Sequence, residues 1–189
     1  MRNDFQINAE KDLNIIREIF ENVKVEFYLA YGTCLGALRD KDFIAWDDDI
    51  DLGVINCPLE KRIEIGYLME DLGFTAQSIV FNVQGREINN YSGYQGDKDT
   101  GIIVMERNVK STIFFFTEQE EEMICRAKVG APILMGYPKK LTQSFQKIKF
   151  RNYEYNIPKP PECYLGFAYT DWNRPNKTEH GKLYAEILS

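Results

Sequence analysis

Tyr31-Gly32-Thr33-Cys34-Leu35-Gly36-Ala37-Leu38-Arg39, then after a short spacer Phe43-Ile44-Ala45-Trp46-Asp47-Asp48-Asp49-Ile50-Asp51-Leu52-Gly53-Val54, is the stretch around which this chain is organised. It combines a small-residue turn opening a short helix, a basic pair at Arg39 and Lys41, and a carboxylate cluster running into an apolar strand. Asp49 and Asp51 are two apart, so an extended Asp49 to Val54 projects both from one face, where they can grip a divalent cation; Asp47 is in step with them. Carboxylates crowded at the mouth of an apolar strand repel one another unless a cation sits among them. Hard oxygen ligands suit Mg2+ or Mn2+ better than zinc.

Two plainer readings compete. A calcium loop after Asp47-x-Asp49-x-Asp51 would place its turn glycine at 52, where Leu stands, and its closing Glu at 58, where Pro stands. A solvated acidic loop conflicts with Trp46 before the run and with Ile50, Leu52 and Val54 interleaved through it, which imply burial on one side. The pattern therefore favours a metal-bearing strand.

Gly-Thr-x-Leu-Gly-Ala-x-Arg followed by Phe-Ile-x-Trp-Asp-Asp-Asp-Ile-Asp-Leu-Gly resembles the signature of the LicD/fukutin-related family, a branch of the nucleotidyltransferase-fold superfamily. Near the C-terminus, Ile157-Pro158, Glu162-Cys163-Tyr164-Leu165, Tyr169-Thr170-Asp171-Trp172 and Pro175 are similar to the family's closing segment, although Thr170 stands where the family usually has glycine. The resemblance implies a mixed β-sheet flanked by helices, α/β (α+β) in class. It also implies transfer of a phosphorylated alcohol (phosphocholine, ribitol phosphate or glycerol phosphate) from a CDP-linked donor to a glycan hydroxyl. In that reading Asp49 and Asp51 hold the metal, Asp47 joins them in the catalytic set, and Gly32, Thr33, Arg39 and Asp171 bind substrate. The superfamily carries a third carboxylate on a neighbouring strand, in an Asp-hydrophobic-Phe run; here the matching run is Thr112-Ile113-Phe114. A threonine hydroxyl is a poor ligand beside a carboxylate and no base at neutral pH. Either Glu106, Asp97 or Asp99 takes that role, or Asp47 substitutes, or the protein binds without turnover. A nucleotidyltransferase acting on a small molecule is a further alternative.

Composition fits one compact domain over 1–189 with a polar tail from about 176: the 189 residues are 44% hydrophobic and 13% aromatic, enough for a real core. No apolar run approaches membrane-spanning length, and the N-terminus lacks a secretory hydrophobic stretch. A net charge of -6 argues against broad nucleic-acid binding. Cys34, Cys57, Cys125 and Cys163 have no paired spacing, which suggests reduced thiols and a cytoplasmic setting.

Periodicity predicts a helix over Ala9 to Val23, a strand over Val25 to Ala30, the short helix after Gly32, a strand over Asp49 to Ile55 and a helix over Leu59 to Leu72 closed by Gly73. That order is an α/β opening. Phe74 to Val83, Arg86 to Asn90, Gly101 to Glu106 and Ser111 to Phe116 read as strands; Tyr91 to Asp99 reads as a loop. Glu118 to Glu122 reads as a solvated turn or helix start. Phe145 to Phe150 and Tyr153 to Ile157 form a hairpin, and Glu162 to Phe167 a short helix past the prolines. Pro138-Lys139-Lys140 is read as a surface basic pair or a family feature, and lone His180 as solvated.

Overall fold

In the computed structural model, residues 2–76, 79–83, 86–90, 101–129, 131–177 and 184–187 are described. The elements run α1 (Asp4–Val23), β1 (Tyr28–Leu29), α2 (Tyr31–Leu35) continuing as a π turn over Gly36–Asp40, β2 (Asp49–Ile55), α3 (Leu59–Asp71), β3 (Thr75–Ala76), β4 (Ile79–Val83), β5 (Arg86–Asn90), β6 (Ile102–Glu106), β7 (Lys110–Gln119), β8 (Glu122–Val129), β9 (Ala131–Pro138), a 3-10 turn over Lys139–Thr142, β10 (Phe145–Phe150), β11 (Tyr153–Pro158), α4 (Pro161–Ala168) and β12 (Tyr184–Ile187). The expected class holds: a mixed sheet with helices packed against it.

The sheet order is β10-β11-β1-β2-β7-β8-β9-β12, with β6 also on β7 and β3 on β6. β2 lies between β1, which is antiparallel to it, and β7, which is parallel. β7 is long enough to do two jobs: 110–116 run beside β2, and Thr117 to Gln119 continue into the hairpin with β8. Ile50 and Leu52 are fully buried, while Asp49 and Asp51 on the alternate face are half-buried. Period-2 alternation separates core from site along one strand. Gly53 continues the aspartate face, and a Cβ there would fall 2.1 Å from the Tyr28 ring. That ring packs over Gly53.

α1 begins five residues before the expected Ala9. Asn3 caps it: its side chain accepts from the Gln6 amide, and the Gln6 side chain accepts from Asn3 N–H. The same two side chains reach back to the motif, Gln6 Nε2 donating to the Phe43 carbonyl (2.8 Å) and Asn3 Nδ2 to that of Ala45 (2.6 Å). Fully buried Asp12 on α1 accepts from the Asn108 and Val109 amides, from Asn108 Nδ2 and from Arg107 Nη1. The helix thereby fixes the turn that launches β7.

β1 is shorter than the expected Val25 to Ala30: Tyr28 and Leu29 pair with β2, and Ala30, whose amide donates to the Asp51 carbonyl at 3.0 Å, already leads into α2. The acidic run Glu118 to Glu122 is the tip of the β7–β8 hairpin: Glu118, Gln119 and Glu122 are paired, and Glu120, in the left-handed region at φ 52°, makes the turn with Glu121. β8 and β9 were not apparent from periodicity, and β12 places a strand within the expected tail by pairing with β9. The loop Tyr91 to Asp99 and His180 lie outside the described residues.

Candidate active site

Tyr31 turns the chain sharply out of β1. Its backbone sits at φ 36°, its N–H faces the Tyr164 hydroxyl at 3.4 Å, and its ring packs edge-on against Phe114. A non-glycine residue held at positive φ is strained, and such strain concentrates at functional sites. The turn sets Gly32 directly against the carboxylates: a Cβ on Gly32 would lie 2.7 Å from Asp47 Oδ2 and 3.7 Å from Asp51 Oδ2. The Gly32 amide points to Asp51 Oδ2 at 3.4 Å. Thr33 is buried, and its hydroxyl accepts the Asp51 amide at 2.9 Å. Its side chain thus ties the turn to β2 and caps no helix.

Asp47, Asp48 and Asp49 each offer a carboxylate oxygen within 4.8 Å of the others, close enough to share one cation. Asp51 lies beside this group, next to Gly32. Burial first, then the Asp49 and Asp47 charges, hold the Asp51 carboxyl well above the usual carboxylate range. Burial and Asp49 push Asp47 up to about 6. Lys110 provides positive charge here, with Nζ 3.4 Å from Asp49 Oδ2 and 3.8 Å from Asp48 Oδ2. Although burial would lower it, these carboxylates raise the Lys110 ammonium above its ordinary value. A group of carboxylates this hard to ionise together is a site whose charge a hard divalent cation would complete.

The carboxylates open into a cavity of about 550 Å³. Arg39, Trp46, Tyr169, Asp171, Arg174 and Lys177 are among its walls. A family model described as LicD/FKTN/FKRP, nucleotidyltransferase domain, matches residues 24–160, a span that takes in the turn, the acidic strand, β7 and the closing hairpin. The chain belongs to the LicD/FKTN/FKRP family.

Relatives within or near this family include ribitol 5-phosphate transferase FKRP of Homo sapiens, 35% identical over 81 residues covering 38% of this chain and 16% of that protein. Ribitol-5-phosphate transferase FKTN of Homo sapiens is 24% identical over 144 residues, 71% of this chain and 27% of the relative. Lipopolysaccharide cholinephosphotransferase LicD of Haemophilus influenzae is 45% identical over 55 residues, 29% and 21% of the two chains. The chain thus spans less than a third of each of these curated relatives. Among solved structures, ANT(2")-Ia in complex with adenylyl-2"-tobramycin aligns with a TM-score of 0.47 at 13% identity, covering 78% of this chain and 67% of that one.

Seen as a LicD-family site, the expected residues divide. Asp47, Asp49, Asp51, Gly32, Arg39 and Asp171 line one cavity; Thr33 supports it from beneath. Arg39 is engaged already: Nε and Nη2 donate to both oxygens of Asp40 (2.6 and 2.8 Å), and Nη1 to the Trp172 carbonyl (3.3 Å). Asp171 carries Arg174, whose Nε is 3.3 Å from its carboxylate. Thr112, the residue expected to match the family's third carboxylate, pairs in register with Asp51 on the neighbouring strand. Glu106 is one strand further out, opposite Lys110, and exposed; Asp97 and Asp99 lie outside the described residues. Asp48, Lys110 and Tyr169 are site residues that periodicity did not single out. Asp48 was signalled by the acidic run itself, whereas Lys110 reaches Asp49 only through the parallel β2–β7 pairing.

Proposed function

We propose that this chain is a metal-dependent phosphotransferase that moves a phosphorylated alcohol from a CDP-linked donor to a glycan hydroxyl, with residues 1–189 forming one domain. The observation that carries the reading is the convergence of Asp47, Asp48 and Asp49, with Asp51 beside them, over the Gly32 turn in a family whose named relatives transfer ribitol phosphate or phosphocholine. Mg2+ or Mn2+ held by Asp49 and Asp51, with Asp47 or Asp48 in reach, would neutralise charge developing on the donor phosphates.

The chain's own residues supply the rest. Asp47, with its carboxyl pushed up to about 6, is suited to take the proton from an attacking sugar hydroxyl near neutral pH. The new bond joins that oxygen to the distal phosphorus; the pyrophosphate bridge breaks and cytidine monophosphate departs. Arg39, set in place by Asp40 and the Trp172 carbonyl, is the phosphate-facing cation of the cavity wall. Gly32 leaves room for the phosphate, Thr33 positions Asp51, and Asp171 orients the acceptor. The four free cysteines, three of them buried, support a cytoplasmic setting; among the described residues no helix is long and apolar enough to cross a membrane.

The test is a thermal-shift titration of CDP conjugates with and without Mg2+, followed by product analysis. Metal-dependent stabilisation and release of cytidine monophosphate are expected, because a ligand bound only by the folded state raises Tm. An Asp49→Ala, Asp51→Ala double variant that kept full metal affinity and turnover would overturn the assignment. Thr112 beside Asp51 favours one other reading, a binding module without turnover, which would bind donor and release nothing.

A further inference from the structure

Trp46 is the exposed aromatic residue of the cavity wall, 41% accessible, and it directly precedes the carboxylate run. One face of its ring is already taken. Lys177 Nζ lies 5.4 Å from the ring centroid, and both residues line the cavity. An open indole face at the rim of an acidic cavity would be an attractive seat for a quaternary ammonium, which binds aromatic faces through the ring's negative quadrupole. Here a cation of the chain already holds that position, and a second cation on the same face would meet like charge. Arg174, paired with Asp171, lines the same cavity.

We infer that Lys177 and Trp46 form a selectivity pair that excludes a quaternary ammonium and admits an uncharged polyol as the alcohol of the donor. The inference rests on the phosphotransferase reading above and names its substrate class. Polyol hydroxyls can accept from the Lys177 ammonium and donate to Asp171, two polar partners that a trimethylammonium cannot satisfy. Lys177 is exposed, so replacing it tests recognition with little effect on the core.

Binding of CDP, CDP-ribitol, CDP-glycerol and CDP-choline to the full chain, measured by calorimetry in Mg2+, tests this. At least one polyol conjugate is expected to bind roughly tenfold tighter than CDP-choline. Lys177→Ala is expected to shrink that ratio several-fold by raising affinity for CDP-choline, and adding Trp46→Ala to remove the gain. CDP-choline binding as tightly as both polyol conjugates, or a ratio unchanged in Lys177→Ala, overturns the selectivity pair while leaving the transferase reading intact. Failure of CDP and all its conjugates to bind overturns both.

Discussion

Thr112 stands directly beside Asp51, in register on the adjacent parallel strand, both side chains on the face that bears the site. The clustered carboxylates around the Gly32 turn come from one segment, Asp47 to Asp51, and β7 contributes Lys110 and a hydroxyl. Thr112→Asp is expected to destabilise the metal-free protein by about 1–3 kcal/mol at pH 7.5, since it buries another carboxyl beside one already hard to ionise. It is also expected to tighten Mg2+ binding by at least roughly tenfold. Denaturant melts and calorimetry check the two halves; unchanged Mg2+ affinity would remove β7 from the metal's surroundings.

Gly32→Ala separates folding from function. The new Cβ would meet the end of the Asp47 side chain at 2.7 Å, a movable carboxylate rather than backbone. Tm is expected to change by no more than about 5 °C, while Mg2+ affinity falls about tenfold as Asp47 swings out of line. A large loss of Tm would place the glycine in folding instead.

The raised Asp47 and Asp51 carboxyls make a signed pH prediction. Each binds its proton more tightly folded than unfolded, so between the ordinary value of about 4 and the folded values the native state holds more protons and stability falls as pH rises. Metal-free Tm is expected to climb as pH drops from 7.5 to 5. Saturating Mg2+ should flatten this slope by favouring the ionised forms. An Asp47→Asn, Asp51→Asn variant with the same slope as the parent would assign it to other groups.

Asp12 anchors the turn that leads into Lys110. It is fully buried and accepts four hydrogen bonds from Arg107, Asn108 and Val109, so its removal strands two backbone amides. Asp12→Ala is expected to cost about 2–4 kcal/mol by denaturant unfolding. A cost under about 1 kcal/mol would mean the turn into Lys110 holds itself.

The opening of the fold was readable because local signals agree there. The stripe Leu13, Ile16, Phe20 and Val23, the alternation through Ile50, Leu52 and Val54, and Gly73, which takes φ +86° just past α3, each dictate their element without distant partners. β8 and β9 escaped because their pairing depends on a hairpin whose acidic turn reads as solvated coil. Residues 118–122 carry no period of 2, and the strands are defined by each other rather than by their own pattern.

The sequence by itself determined that carboxylates would line one face of an apolar strand behind a glycine turn, because strand alternation and small-residue spacing are local properties. Tertiary structure alone decided which groups meet them. Parallel pairing with β7 sets Lys110 against Asp49 and Thr112 against Asp51; the α1 start pins Phe43 and Ala45; and the return of the chain after α4 brings Asp171 and Lys177 to the same cavity. The physical reason is range: hydrogen-bond register and chain return join residues more than thirty positions apart, and no local periodicity encodes a partner that distant.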